Sequence, residues 1–186
     1  MALEPAFKEL SAHCTRLRDT LFEFRTTVVE DKPLKGDVVL VDEFGDAADE
    51  LAGWLEEALG AIAQAQQAVS HPTDLDRARR GLAACQTCLN RVSNRFYGDL
   101  VSYERISELL EVGGERGGEW SAWARGVKEA LYRCRPHLYD VSETVFLCWQ
   151  EVTERIVTAS VSVHATNIGQ QISVPEASVK ASEGFP

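Results

Sequence analysis

The chain has 186 residues, of which 45% are apolar. That suits one domain with a short appendage and a core that buries roughly 70% of the unfolded surface. The formal net charge of −10 disfavours non-specific nucleic-acid binding by the molecule as a whole, since phosphate affinity needs an excess of Lys and Arg. No apolar run is long enough to cross a membrane, and Met1–Leu10 carries no basic region followed by an apolar stretch, so neither a transmembrane helix nor a secretory leader is expected.

The charge is unevenly placed. Residues 1–76 hold 16 acidic and 6 basic residues, while residues 77–186 hold 13 of each. All the excess negative charge therefore lies in the first part. The five cysteines are odd in number, which predicts reduced thiols and a cytoplasmic setting.

The first predicted helix spans about Glu4 to Glu30. Phe7, Leu10, Cys14, Leu17, Leu21, Phe24 and Val28 recur at alternating intervals of 3 and 4. That is the seam of a helix packed at a shallow angle against its neighbours. Asp31–Gly36 is a loop, with Pro33 and Gly36 as breakers. The apolar run from Val38 to Val41 reads as a covered entry into the next helix, because no partner for a short strand is visible. A second helix follows from about Asp42 to Val69, with the seam Phe44, Ala48, Leu51, Leu55, Ala58, Ile62, Ala65 and Val69. Its alanines permit close approach of a neighbour.

His71-Pro72 ends the second helix, and Thr73 is the expected N-cap of the third. The third seam runs Leu75, Ala78, Leu82, Cys85, Leu89, Val92 and Phe96, then shifts its count to Leu100, Tyr103 and Ile106 or Leu110. Such a shift is a stutter, and Gly98 marks it as a bend. Read as one helix to Val112, this element would be about 57 Å long against about 40 Å for the first, so it must bend or overhang. Four glycines between Gly113 and Gly118 predict a flexible hairpin tip. The fourth helical region carries Trp120, Trp123, Val127, Ala130 and Cys134. Pro136 then predicts a break at 135–140, with Asp140–Glu143 as a capping box opening a last helix along Val141, Val145, Cys148, Val152, Ile156, Ala159 and Val163. From residue 169 the composition changes to a flexible tail, in which Ile172–Val174 is a segment suited to adding as a strand to another chain.

The expected fold is therefore all-α: an antiparallel four- or five-helix bundle with heptad-like seams over 1–168 and a tail over 169–186. No catalytic motif is present. Cys85-Gln-Thr-Cys88 is a lone C-x-x-C inside a helix and reads as core packing, not as a zinc site. None of the four histidines follows an acidic residue by three, so the di-iron helical pattern fails. No cofactor and no metal are expected.

What remains are surface features suited to a protein partner or to self-association. Asp42, Glu43, Asp46, Asp49, Glu50, Glu56 and Glu57 line the second helix with no basic residue among them. Opposed to them stand Arg77, Arg80, Arg91 and Arg95 on the third helix and Arg125, Arg133 and Arg135 on the fourth. Asp46, Asp49, Glu50, Arg91 and Arg95 are the charged candidates for partner binding. Trp120 and Trp123 join them if the glycine tip leaves them exposed, and Ile172 and Val174 if the tail orders on binding. The function expected is a non-enzymatic adaptor or assembly module. The alternatives are a bundle holding a small ligand or metal through buried cysteines and aromatics, or a nucleic-acid accessory protein using the arginine face.

Overall fold

Unbroken apolar seams make long helices, and long helices with one apolar face must pair. The computed structural model describes residues 3–33, 39–69 and 74–171, with side chains through residue 162. Among these, every regular element is helical: α1 (Leu3–Val29), α2 (Val39–Val69), α3 (Leu75–Arg95), a π-helical turn (Phe96–Leu100), α4 (Tyr103–Arg116) and α5 (Gly118–Gln171). The all-α antiparallel bundle expected from the seams is the architecture observed. The residues named for Thr73 as an N-cap and for Ile172 and Val174 as a docking segment lie outside the described residues.

Four helices close the bundle. α1 lies between α2 and α5, α3 packs against the other sides of the same two, and α4 packs on α5. Cross-links give the directions. Arg18 reaches Glu56 and Arg25 reaches Asp49 between α1 and α2. Arg95 reaches Glu50 between α3 and α2, while His13 of α1 lies beside Asp140 of α5. Rising numbers meet falling ones between α1 and α2, and Gly81 beside Ala65 and Trp123 bonded to Thr27 extend the same pattern to α3–α2 and α5–α1, so neighbours are antiparallel. At α2 and α3 the backbones come close: a Cβ on Gly81 would sit 2.9 Å from Ala65 Cβ and 3.0 Å from the Ala61 carbonyl. Only glycine fits there.

The seams of α1 and α2 form the core with almost no exposure, from Phe7 to Val28 and from Val41 to Ala65. The third seam holds as far as Phe96 and Leu100, then changes. The chain does not continue as one bent helix. The Val101 amide donates to the Phe96 carbonyl at 3.0 Å, an i→i+5 bond that inserts one extra residue. A new helix then starts at Ser102, whose hydroxyl accepts from the Arg105 amide. Tyr103, expected on the seam, is 83% exposed, and Leu109 and Gly113 are buried instead.

Two further expectations are corrected. The glycine-rich stretch is a tight corner: Gly113 and Gly114 finish α4, and Gly117 and Gly118 make the turn with φ of 65° and 49°. Gly113 packs so closely on α5 that an added Cβ would lie 2.7 Å from Ala124 Cβ. Second, α5 does not break at Pro136. The missing amide leaves the Tyr132 carbonyl without its helical donor, a loss that ordinarily costs about 3 kcal/mol. Pro136 is exposed, so the gap faces solvent, and Leu138 carries the buried seam from Cys134 to Val141. Burial on both sides of the proline holds the helix together. The proposed capping box is mid-helix, where Ser142 and Thr144 donate to the carbonyls four residues back.

Candidate functional site

Three of the charged candidates meet at one place. Asp46 and Glu50 of α2 and Arg95 of α3 line a cleft of about 300 Å³, with Glu43 from α2, Asp99 from the π turn and Arg105 from α4. Leu40, Phe44, Ala47 and Leu100 supply its apolar walls. The π turn is the reason these residues converge. Its extra residue keeps both Phe96 and Leu100 buried while swinging Asp99 within 2.7 Å of Arg95 Nη1. It also sets α4 so that Arg105 reaches Glu43 at 2.7 Å and Glu108 at 2.9 Å. Arg95 Nε lies 3.0 Å from Glu50, but its N–H is not aligned on the carboxylate, so that contact is an ion pair without a linear hydrogen bond. The hydrogen bond to Asp99 leads the causes that raise the Arg95 pKa, and the bond to Glu108 does so for Arg105. Both guanidiniums stay charged. Four carboxylates thus face two guanidiniums, and Asp46 has no guanidinium against it among the described residues.

Asp49 belongs to a different groove, of about 420 Å³, between α1 and α2. It pairs with Arg25, and the exposed Phe22, with Ala48 and Ala52, lines the same groove. Arg91 is exposed on the outer side of α3, apart from both. Among the described residues, Arg95 alone of the arginine series pairs with the acidic helix. Arg18, Arg25 and Arg105 make the other contacts to α2.

The tryptophans are structural. Trp120 and Trp123 are 7% and 5% exposed, so no exposed tryptophan patch exists at the glycine corner. Trp123 Nε1 donates to the Thr27 and Val28 carbonyls at 3.1 and 3.3 Å, satisfying acceptors that the end of α1 leaves open. Trp120 meets it edge-on at 5.3 Å and carries Arg116 over its face.

The cysteines are core residues. All five are free. Cys14 of α1, Cys85 of α3 and Cys148 of α5 lie near enough to influence one another, and burial pushes the Cys14 and Cys148 thiols up to about 12. Among the described residues no group of three His, Cys, Asp or Glu side chains is arranged to hold a metal ion.

Sequence reasoning missed an exposed apolar row on α5. Tyr132, Tyr139 and Phe146 are 39%, 66% and 66% exposed. They stand seven residues apart, so they form one row, and the row lies opposite the buried seam of α5. The signal was in the spacing: Tyr132 and Tyr139 fall out of phase with Cys134, Leu138 and Val141. Lys128 and Arg135 lie over the Tyr132 ring, at 5.8 and 5.3 Å from its centroid, and Arg135 also approaches Tyr97. The row continues past the bundle. Val152 is the last fully buried residue of α5, and Val157 and Val161 beyond it are exposed.

No family model, no curated protein and no solved structure matches the chain. No helix among the described residues is long and apolar enough to cross a membrane.

Proposed function

We propose that this chain is a non-enzymatic interaction module that uses the outer face of α5 to bind protein in an assembly. The observation that carries the reading is the row Tyr132, Tyr139 and Phe146, prolonged by Val157 and Val161. Scattered apolar residues on a surface need no explanation, but large ones repeated every seven residues along one helix face mark a contact. Aromatic side chains are the usual anchors of such contacts. A helix presenting its apolar row to a groove or to another helix is a recurring mode of recognition. The free cysteines accord with a cytoplasmic setting, which is part of this proposal. The cleft at Asp46, Glu50 and Arg95 is a secondary docking point, where a basic side chain of the bound protein meets Asp46.

The reading is tested by cross-linking in the native host, followed by purification and mass spectrometry. The wild-type chain is compared with Tyr139→Glu/Phe146→Glu and with Arg91→Glu as a control on another face. The expected result is a cross-linked protein that persists with Arg91→Glu and is lost with the α5 variant. An unchanged set of cross-links in the α5 variant contradicts the reading.

A further inference from the structure

The row on α5 has a charge pattern that selects its occupant. Arg125, Lys128 and Arg135 lie along its N-terminal half, and Glu143 and Glu154 along its C-terminal half, with Glu129 the acidic exception in the basic half. A surface that is basic at one end and acidic at the other is complementary to itself when turned end for end. That is the requirement of a twofold contact, in which the same patch serves on both sides. The charge balance points the same way. The whole chain carries −10, but α5, residues 118–171, holds five basic and six acidic residues, a net of −1. This helix is where two copies approach with little net repulsion.

Helix lengths add a second argument. After Val152, every described side chain through Ser162 except the partly buried Ile156 is exposed. The helix nevertheless continues to Gln171, about 28 Å further at 1.5 Å per residue. Between Ile156 and Gln171 there is no Asp, Glu, Lys or Arg, and Val, Thr and Ser dominate. Such a segment is a weak helix former with no side-chain ion pairs to hold it. It requires a neighbour.

We infer that the neighbour is a second copy of this chain, its α5 antiparallel to the first along the outer row. This rests on the interaction reading above and specifies its partner. The register that joins opposite charges sets Arg135 against Glu154 of the second copy. The same register sets Tyr132 against Val157 and brings Phe146 beside the twofold axis. The projecting end of each α5 then lies on the Tyr132 end of the other. Glu143 faces its own copy near the axis, so its removal strengthens the association.

The test is sedimentation equilibrium of the full chain over a range of concentrations, with circular dichroism to confirm that each variant is folded. A reversible monomer–dimer equilibrium is expected. Phe146→Glu weakens it by about thirtyfold, the effect of losing a central aromatic anchor. Arg135→Glu weakens it about fivefold, as for loss of a close charge pair, and Arg135→Glu/Glu154→Arg restores it. Glu143→Gln tightens it. A monomer at every concentration overturns the inference, as does a dimer indifferent to Phe146→Glu. A double variant no tighter than Arg135→Glu overturns the register. If the chain is monomeric while cross-links to a different protein still depend on Tyr139 and Phe146, self-pairing is overturned and the interaction reading stands.

Discussion

Cys14, Cys85, Cys134 and Cys148 are fully buried, and burial raises the pKa of each above the ordinary value of 9.0. For Cys14, Cys134 and Cys148 the value reaches about 12. The consequence for stability has a definite sign. Between the unfolded and folded values the folded thiol keeps its proton and the unfolded one releases it, so unfolding is favoured as pH rises. The contribution is complete below pH 9.0 and is lost on the way to about 12. Each thiol removes about 1.4 kcal/mol per pH unit in that window. Urea denaturation across the alkaline range checks this: the midpoint holds near neutrality and falls steadily above pH 9.0. A midpoint that stays level through that window contradicts the burial of these thiols. The residue scale was legible where a side chain sits on a seam, as all four of these do. It was not legible for Arg105, because its partner Glu43 lies 62 positions earlier in the chain and only the geometry of the π turn joins them.

At the scale of elements, α1 and α2 could be read from spacing alone, because their seams run without interruption. Later elements were harder for a specific reason. The count from Phe96 to Leu100, Tyr103 and Ile106 looks like a seam with a slip, yet one extra residue in the backbone turns Tyr103 outward. A sequence count cannot distinguish a slipped seam from a new helix. Pro136 misleads in the other direction. Leu138 keeps the seam of α5 intact, and the exposed proline is tolerated. Replacing Pro136 by Ala restores one backbone hydrogen bond in a helix already continuous there. The expected effect is a stabilisation of about 1–3 kcal/mol with little change in helical circular dichroism. A gain in helix content without a rise in denaturation midpoint contradicts a continuous α5. The overhang expected on the third helix is found on α5, since the break after Leu100 shortens α3 to 21 residues and the return helix has 54.

At the scale of the molecule, α2 carries an acidic stretch and the outer face of α5 an apolar row. α2 is acidic from Asp42 to Glu57 and takes its ion pairs from three other helices. Most of these pairs are partly exposed, and each is worth about 0–1 kcal/mol. They align the helices more than they hold them, and the stability resides in the shared apolar core. The candidate surface was only partly legible. Asp46, Glu50 and Arg95 share one cleft, but the tryptophans named as apolar anchors close the end of α1 instead. The exposed anchors are the tyrosines and phenylalanine on the far side of α5. The central claim is that this row is the binding face. It is tested most directly by placing a photo-cross-linking amino acid in the native host at Tyr139 on the α5 row, at Phe22 in the α1–α2 groove, or at Arg91 on outer α3. Protein adducts at Tyr139 and at neither other position are the predicted result. Adducts at Phe22 or Arg91 with none at Tyr139 would contradict it.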